Sequence, residues 1–192
     1  MNVLAVIAHD RKKSLNRFLF ESIIKHLTQQ GHSVDILDLY QRQNDIPFYV
    51  QPTEGSSITG KTLSDFPFFQ EHKNRFMAAD TLVIVAPVYW YSSPGILKSW
   101  FDLITNFAWK YETPHSLNAK ALHHIKRALV VTTMAMPWFF KVFLTRNTIK
   151  NHYKSIFNFI DIKNYTIYEI TNVTNISPKK VSSHLNKILK LL

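Results

Sequence analysis

The chain has 192 residues, with 23 Lys and Arg against 13 Asp and Glu, no cysteine and four glycines. This length predicts one domain, residues 1–192, and 46% hydrophobic residues indicate a packed core rather than a disordered chain. The lack of cysteine excludes disulfides, thiolate zinc sites and a cysteine nucleophile. The four glycines, at positions 31, 55, 60 and 95, cannot form a G-x-G-x-x-G dinucleotide loop.

The net charge of +10 is concentrated near the C-terminus, where residues 141–192 carry nine basic and two acidic side chains. The lysines there are scattered, which is typical of solvated helix faces and does not indicate a nucleic-acid partner. The apolar opening is too short for a secretory signal, and no run reaches the roughly 18–20 apolar residues of a membrane span. We therefore expect a soluble cytoplasmic protein with no nucleic-acid partner and no membrane insertion.

Strands and helices are predicted to alternate along the chain. Apolar or alternating runs predict strands at Asn2–His9, Ser33–Tyr40, Thr81–Val88, Lys126–Met134 and Tyr165–Ile170. Helical spacing predicts helices at Ser14–Gln30, Phe69–Ala79, Pro94–Ile104, Trp138–Tyr153 and Pro178–Leu192, and residues 41–68 are predicted to form a long loop. This order predicts an α/β fold, a flavodoxin-like three-layer sandwich whose five-stranded parallel sheet has the order 2-1-3-4-5 and helices on both faces. Ligands in such a sheet bind beyond the carboxyl ends of the strands.

Residues 55–62 (GSSITGKT) match the phosphate-binding pattern G-x-x-x-x-G-K-S/T. A working loop of this kind leaves a buried strand and enters a helix. Here the polar residues 51–54 precede it, and Pro67 would interrupt the following helix. We expect a surface loop, with a phosphotransferase that binds nucleotide through Lys61 as a rival interpretation.

The segment after the first strand has the composition of an anion site. Ser14 is a natural helix cap, so the amides of Leu15, Asn16 and Arg17 would be free to meet an anion. The side chains of His9, Ser14 and Asn16 add donors, and Lys12, Lys13 and Arg17 add charge. A simple capped helix after a basic loop remains the alternative.

Three consecutive aromatic residues, Tyr89, Trp90 and Tyr91, follow the third strand. A strand would bury only alternate members, so the three are suited to lie along a planar heterocycle, although plain packing would also account for them. On the next helix, Lys98, Trp100 and Asp102 are expected to be structural or to lie at a subunit contact.

None of the nine histidines has metal-ligand spacing, so no metal site is expected, and we expect His123 and His124 to be exposed.

The segment PVYWYSSPGILKSWFDLI, with AHDRKKSLN and Ala78-Ala79-Asp80 upstream, resembles the flavodoxin-like NAD(P)H dehydrogenase (quinone) family, in particular its small bacterial flavin oxidoreductases. The resemblance extends from Met1 to about Ile170. It implies a homodimeric enzyme that passes a hydride from NAD(P)H to bound FMN or FAD and then two electrons to a small quinone-like acceptor. By position it implies contacts with the flavin phosphate from His9, Ser14, Leu15 and Asn16, and with the flavin ring from Pro87, Val88, Tyr89, Trp90, Tyr91, Thr132 and Thr133.

The chain also departs from that family. Met134-Ala135-Met136-Pro137 stands where many relatives have a Gly-Gly pair, and the Tyr and His that steady the reduced flavin in some relatives have no clear counterparts. Proximity alone makes Tyr89 and Tyr91 candidates for that catalytic role. Two alternatives to the reductase remain open: a flavin-binding electron carrier, and an interaction protein that binds no flavin.

Overall fold

The computed structural model describes residues 1–44, 46, 67–112, 124–143 and 146–192. The strands are β1 (Asn2–Ile7), β2 (Ser33–Asp38), β3 (Thr81–Pro87), β4 (Arg127–Thr133) and β5 (Tyr165–Ile170). The helices are α1 (Leu15–Gln29), α2 (Pro67–Ala78), α3 (Gly95–Glu112), α4 (Trp138–Phe143), α5 (Thr148–Phe159) and α6 (Pro178–Leu189), and a 3₁₀ turn covers Val173–Asn175. No helix in these ranges is both long enough and apolar enough to cross a membrane.

All five strands form one parallel sheet in the order β2-β1-β3-β4-β5, which confirms the predicted topology. The inner strand β1 pairs with β2 on one side and β3 on the other, so that Ala5 lies opposite both Ile36 and Val83. After β1, the chain forms the edge strand β2, and it then crosses to the other side of β1, where it forms β3, β4 and β5. This reversal separates the loops after β1 and β3 and leaves a crevice at their carboxyl ends.

The sheet is covered on both faces, which explains why its inner strands read as continuous apolar runs. One set of alternate residues, represented by Val3, Ala5 and Ile7, packs with Leu19, Ile23 and Leu27 of α1 and with Ile188 of α6. The other set, represented by Leu4 and Val6, packs with Phe76 of α2, Trp100 and Phe101 of α3 and Phe157 of α5. Burial of each of the larger side chains contributes about 1.5–3 kcal/mol before conformational entropy is subtracted.

The predicted single helix over Trp138–Tyr153 is wrong, because α4 and α5 are separate helices. Between them, Arg146 and Asn147 have φ values of 47° and 57°, in the left-handed region that ends a right-handed helix. Hydrophobic spacing did not reveal this break, since neither residue is a glycine or proline. The break lets α5 turn back toward the sheet, where Ile149, Tyr153 and Phe157 are buried.

Candidate functional site

The loop between β1 and α1 forms a capped helix start, as the sequence predicts. Ser14 has an extended backbone, and its Oγ accepts a hydrogen bond from the amide of Arg17 at 3.2 Å. Leu15 and Asn16 lie in the first turn, whose amides have no intrahelical acceptor. These amides and the positive end of the helix dipole form a position for an anion.

His9 lies just after β1, at the start of the loop that leads to this helix, and is almost fully buried. Its Nδ1 accepts a hydrogen bond from the Arg11 amide at 3.0 Å, so the neutral ring carries its proton on Nε2. Burial lowers the pKa of His9, Arg11 and Arg17 lower it further, and the carboxylate of Asp10 opposes them. At neutral pH, therefore, His9 offers one uncharged N–H donor from Nε2.

Asn16 links the helix start to the end of β4. Its Nδ2 donates to Oγ1 of Thr133 across 2.8 Å, and both side chains are buried. Among the described residues, Asn16 Oδ1 and the neighbouring buried Thr132 Oγ1 have no hydrogen-bond partner. Buried polar atoms are ordinarily satisfied, so two such oxygens at the same edge of the sheet indicate room for a polar ligand or water.

Arg17 does not supply the free positive charge that the sequence suggested. Its Nη2 donates to Oδ2 of Asp38 at 2.7 Å, and both side chains are largely buried. Asp38 also accepts the amides of Tyr40 and Gln41 through Oδ1, which fixes the turn after β2. The cations left exposed in this loop are Arg11, Lys12 and Lys13.

The aromatic segment after β3 forms a tight turn closed by two backbone hydrogen bonds, from Tyr89 N to Ser92 O at 2.9 Å and from Ser92 N to Tyr89 O at 3.0 Å. Trp90 and Tyr91 occupy its two central positions with φ values of 46° and 63°. Positive φ at both positions is the geometry for which Asn-Gly is preferred, and it costs side-chain-bearing residues about 1–2 kcal/mol each. Trp90 is nonetheless 93% exposed, so core packing does not explain its place. Backbone strain without burial indicates a functional role for this turn.

The three aromatic side chains have different surroundings. Trp90 and Tyr91 line a cavity, whereas the hydroxyl of Tyr89 donates to Oδ1 of Asp10 at 3.4 Å. Burial and the nearby Asp10 carboxylate raise the pKa of Tyr89 and also that of Tyr40, which follows β2. Asp10 and Tyr40 thus lie close enough to Tyr89 to influence it electrostatically, a relationship that the position of Tyr40 after β2 did not indicate.

The cavity beside the turn has a volume of about 220 Å³. Val88, Trp90 and Tyr91, which follow β3, line the cavity together with Ile149 of α5. The loop after β4 also lines the cavity through Met134, Ala135 and Met136, which belong to the segment that departs from the family pattern. The cavity-lining residues are predominantly apolar, a surface suited to a flat, weakly polar ring system.

Pro87, Thr132 and Thr133 occupy the buried ends of β3 and β4 rather than the cavity wall. Pro87 pairs with Thr133 in the sheet, and the Val88 amide donates to the carbonyl of Thr133 at 2.8 Å. Together with the Asn16 side-chain bond to Thr133, this contact connects the anion position with the cavity.

Ser93 and His152 form a second contact that sequence analysis missed. Ser93 is buried directly after the aromatic turn, and its Oγ lies 3.2 Å from Nε2 of His152 on α5. Burial lowers the pKa of His152, Lys98 lowers it further, and Asp102 opposes them. The two residues are 59 positions apart in a hydrogen bond that no local pattern could indicate.

The remaining sequence-selected residues lie away from the cavity. Trp100 is fully buried in the core, and Lys98 forms an ion pair with Asp102 on the outside of α3. The prediction that His124 is exposed is wrong, because it is half-buried and its Nε2 lies 3.0 Å from the carbonyl oxygen of Phe76. The segment 55–62 with Lys61, and also His123, lie outside the described residues.

The parallel sheet in the order 2-1-3-4-5, with polar loops and a cavity beyond the ends of β1, β3 and β4, defines a doubly wound α/β protein of the flavodoxin type. A family model described as a flavodoxin-like fold (Flavodoxin_2) matches residues 1–192. The chain therefore belongs to this flavodoxin-like family, which confirms the fold that the sequence predicted.

Individual relatives agree with the resemblance found in the sequence. Human ribosyldihydronicotinamide dehydrogenase (quinone) is 30% identical over 151 residues, covering 68% of this chain and 62% of the relative. Rat NAD(P)H dehydrogenase (quinone) 1 is 30% identical over 125 residues, covering 57% of this chain and 46% of the relative. The chain thus spans about half to three-fifths of the length of these curated relatives.

A solved structure shares the fold over the whole chain. The FMN-dependent NADH-azoreductase from Bacillus anthracis str. Ames Ancestor, solved in complex with FMN, superposes with a TM-score of 0.76 at 19% identity. The superposition covers 100% of this chain and 97% of that structure. At this identity the likeness concerns the fold alone.

Proposed function

We propose that the protein is a flavoenzyme that holds FMN or FAD at the carboxyl ends of β1, β3 and β4. It would accept a hydride from NAD(P)H and deliver two electrons to a small quinone-like acceptor. The observation that carries this proposal is the pairing of a donor-rich anion position with an apolar cavity at neighbouring strand ends. A flavin nucleotide combines the same two chemical parts, a phosphate and a flat ring.

The anion position fits a flavin phosphate. The amides of Leu15 and Asn16 and the hydroxyl of Ser14 would donate to its oxygens, and the helix dipole would favour its charge. His9 would add the Nε2 donor without a net charge, since its pKa is lowered. Arg17 would act indirectly, because its guanidinium is held by Asp38.

The cavity fits one end of a flavin ring. Val88, Trp90 and Tyr91 would line one side, and Met134 and Met136 would replace the glycine-rich edge found in many relatives. In place of glycine amides, thioether side chains would contact the ring, and methionine adapts its shape to irregular flat ligands. Pro87, Thr132 and Thr133 would support the cavity from the strand ends, and the unpartnered Oγ1 of Thr132 could meet a polar group of the ligand.

Bound flavin would supply the hydride and electron chemistry, while the chain positions reactants and excludes water. Of the two tyrosine candidates, Tyr91 lies at the cavity, whereas Tyr89 directs its hydroxyl to Asp10. The pKa of Tyr89 lies above the ordinary tyrosine value of about 10, so its hydroxyl is protonated at neutral pH and can donate to Asp10. We therefore assign Tyr91 the position facing the acceptor and Tyr89 a role in fixing the turn.

The proposal includes a homodimer in the cytoplasm with a small-molecule acceptor as its reaction partner. Exposed Trp138, Phe139, Phe140 and Phe143 on α4 support the dimer, because aromatic groups of this size are ordinarily covered in an assembly. The lack of cysteine suits the reducing conditions of the cytoplasm. Sedimentation at micromolar concentration would test the dimer, and a single species of 22.4 kDa would contradict it.

Anaerobic reduction tests the activity. Protein reconstituted with FMN or FAD should lose its yellow absorption on addition of NADH or NADPH without dithionite, and a quinone should restore it. Bound flavin that bleaches only with dithionite would instead identify an electron carrier. A protein that takes up neither flavin would contradict the proposal and favour an interaction protein.

A further inference from the structure

The aromatic turn needs support from outside itself. Its two backbone hydrogen bonds join Tyr89 to Ser92 and close the turn, but they do not attach it to the rest of the protein. The left-handed conformations of Trp90 and Tyr91 persist only where surrounding contacts over-determine them.

Within the described part of the chain, three hydrogen bonds attach the turn to other elements. At its start, the Val88 amide donates to the Thr133 carbonyl at 2.8 Å. At its first residue, Tyr89 reaches Asp10 through a long contact of 3.4 Å on the exposed side. At its end, buried Ser93 meets His152 at 3.2 Å. The Ser93 contact is thus the buried side-chain anchor at the end of the turn.

We infer that His152 is a positioning residue, which holds the Trp90–Tyr91 turn against the cavity through its hydrogen bond to Ser93. Ile149 lies three residues before His152, on the same side of α5, and lines the cavity together with Trp90 and Tyr91. One face of α5 therefore supplies both Ile149, which lines the cavity, and His152, which holds the end of the aromatic turn. Pro94 after Ser93 restricts the Ser93 backbone to extended conformations, so that fixing the side chain also fixes the chain direction.

The surroundings of His152 suit this role. Its lowered pKa, caused mainly by burial, keeps the ring neutral, and a neutral ring can exchange one hydrogen bond with a serine hydroxyl in either direction. Lys98 on α3 disfavours the charged ring and Asp102 favours it. The ring also packs edge-to-face against Tyr153 at 5.5 Å, which restricts its rotation.

Paired variants test the inference, which rests on the proposed function only for its ligand-binding readout. Ser93→Ala and His152→Phe remove the hydrogen bond from either side, whereas Ser93→Thr and His152→Gln retain a hydroxyl and an amide nitrogen. FMN affinity is measured by flavin fluorescence, and unfolding in urea confirms that each variant is folded. We expect affinity to fall about three- to tenfold in Ala and Phe variants and to return to within about twofold in Thr and Gln variants.

The double variant Ser93→Ala/His152→Phe should bind FMN no more weakly than either single variant, because all three lack the same bond. Equal affinities in the Phe and Gln variants, or additive losses in the double variant, would overturn the inference.

A second readout does not depend on flavin. In protein labelled with 5-fluorotryptophan, the ¹⁹F resonance of Trp90, assigned by Trp90→Phe, should shift or broaden in Ser93→Ala and His152→Phe but not in the two conservative variants. An unchanged Trp90 resonance in all variants would overturn the inference. If wild-type protein binds neither FMN nor FAD but the resonance behaves as expected, the proposed function fails and the positioning role stands.

Discussion

Asn16 in α1 donates from Nδ2 to Oγ1 of Thr133 at the end of β4, across 2.8 Å and 117 positions of sequence. The bond is buried. It joins the anion position to β4, and the loop that follows β4 lines the cavity. The geometry of one half of the site therefore depends on the other half.

Thr133→Val should destabilise the flavin-free protein by about 1–3 kcal/mol, because the buried Asn16 amide would lose its acceptor while the side-chain volume stays the same. Urea unfolding followed by circular dichroism measures this loss. Thr133→Ser keeps the acceptor oxygen and should retain most of the stability. A valine variant as stable as wild type would mean that the bond is unimportant or that water replaces it.

Two substitutions at Ser14 separate its helix cap from its anion position. Ser14→Ala should cost about 1 kcal/mol of stability through loss of the cap, and it should also weaken FMN binding. Ser14→Asp keeps a capping oxygen but introduces a negative charge where the phosphate would lie. We expect the Asp variant to unfold at the same urea concentration as wild type or higher, yet to lose FMN affinity more severely than the Ala variant. Equal FMN affinity in the Asp variant and wild type would exclude an anion at this helix start.

Trp90→Asn should stabilise the fold by about 0.5–1 kcal/mol while weakening flavin binding. Asparagine tolerates the left-handed conformation at φ 46°, and the exposed indole gives up little burial. Trp90→Ala is the matched control, since it removes the same ring without easing the backbone. If the two variants unfold at the same denaturant concentration, the turn carries no strain of this kind.

Stability should fall as the pH is lowered from 7 to 5. Burial lowers the pKa of both His9 and His152 below the ordinary value of about 6.5, so the unfolded chain binds protons that the folded chain does not. The resulting stabilisation is complete above pH 6.5 and is lost as the pH falls through the lowered pKa values. His152→Gln removes one of these groups and should reduce the slope of unfolding free energy against pH. A slope unchanged by this variant would show that the His152 pKa is not lowered in the folded protein.

The sheet was predictable from the sequence because strands buried on both faces leave continuous apolar runs, such as Leu4–Ala8 and Leu82–Ala86. The parallel order then fixed which loops meet, which brought the segments after β1 and β3 together without knowledge of any contact. Ser14 was also predictable, because a helix cap is a local preference of one residue type.

The remaining features depend on contacts between distant positions. The pairing of Arg17 with Asp38 removed a cation from the predicted anion site, and nothing near Arg17 in the sequence indicates that partner. The left-handed turn at Trp90 was hidden because bulky residues disfavour positive φ, so local propensity predicts the opposite conformation.

Equilibrium titration of the flavin-free protein with FMN, and in parallel with riboflavin, tests the flavin site most directly. The two ligands share the ring and differ in the phosphate, so their affinities measure the cavity and the anion position separately. We expect saturable binding of one FMN per chain and riboflavin binding that is at least tenfold weaker, since charge-assisted hydrogen bonds to the phosphate contribute about 1.5–3 kcal/mol each. A protein that binds neither FMN nor FAD, or that binds FMN and riboflavin with equal affinity, would contradict a flavin nucleotide site at the ends of β1, β3 and β4.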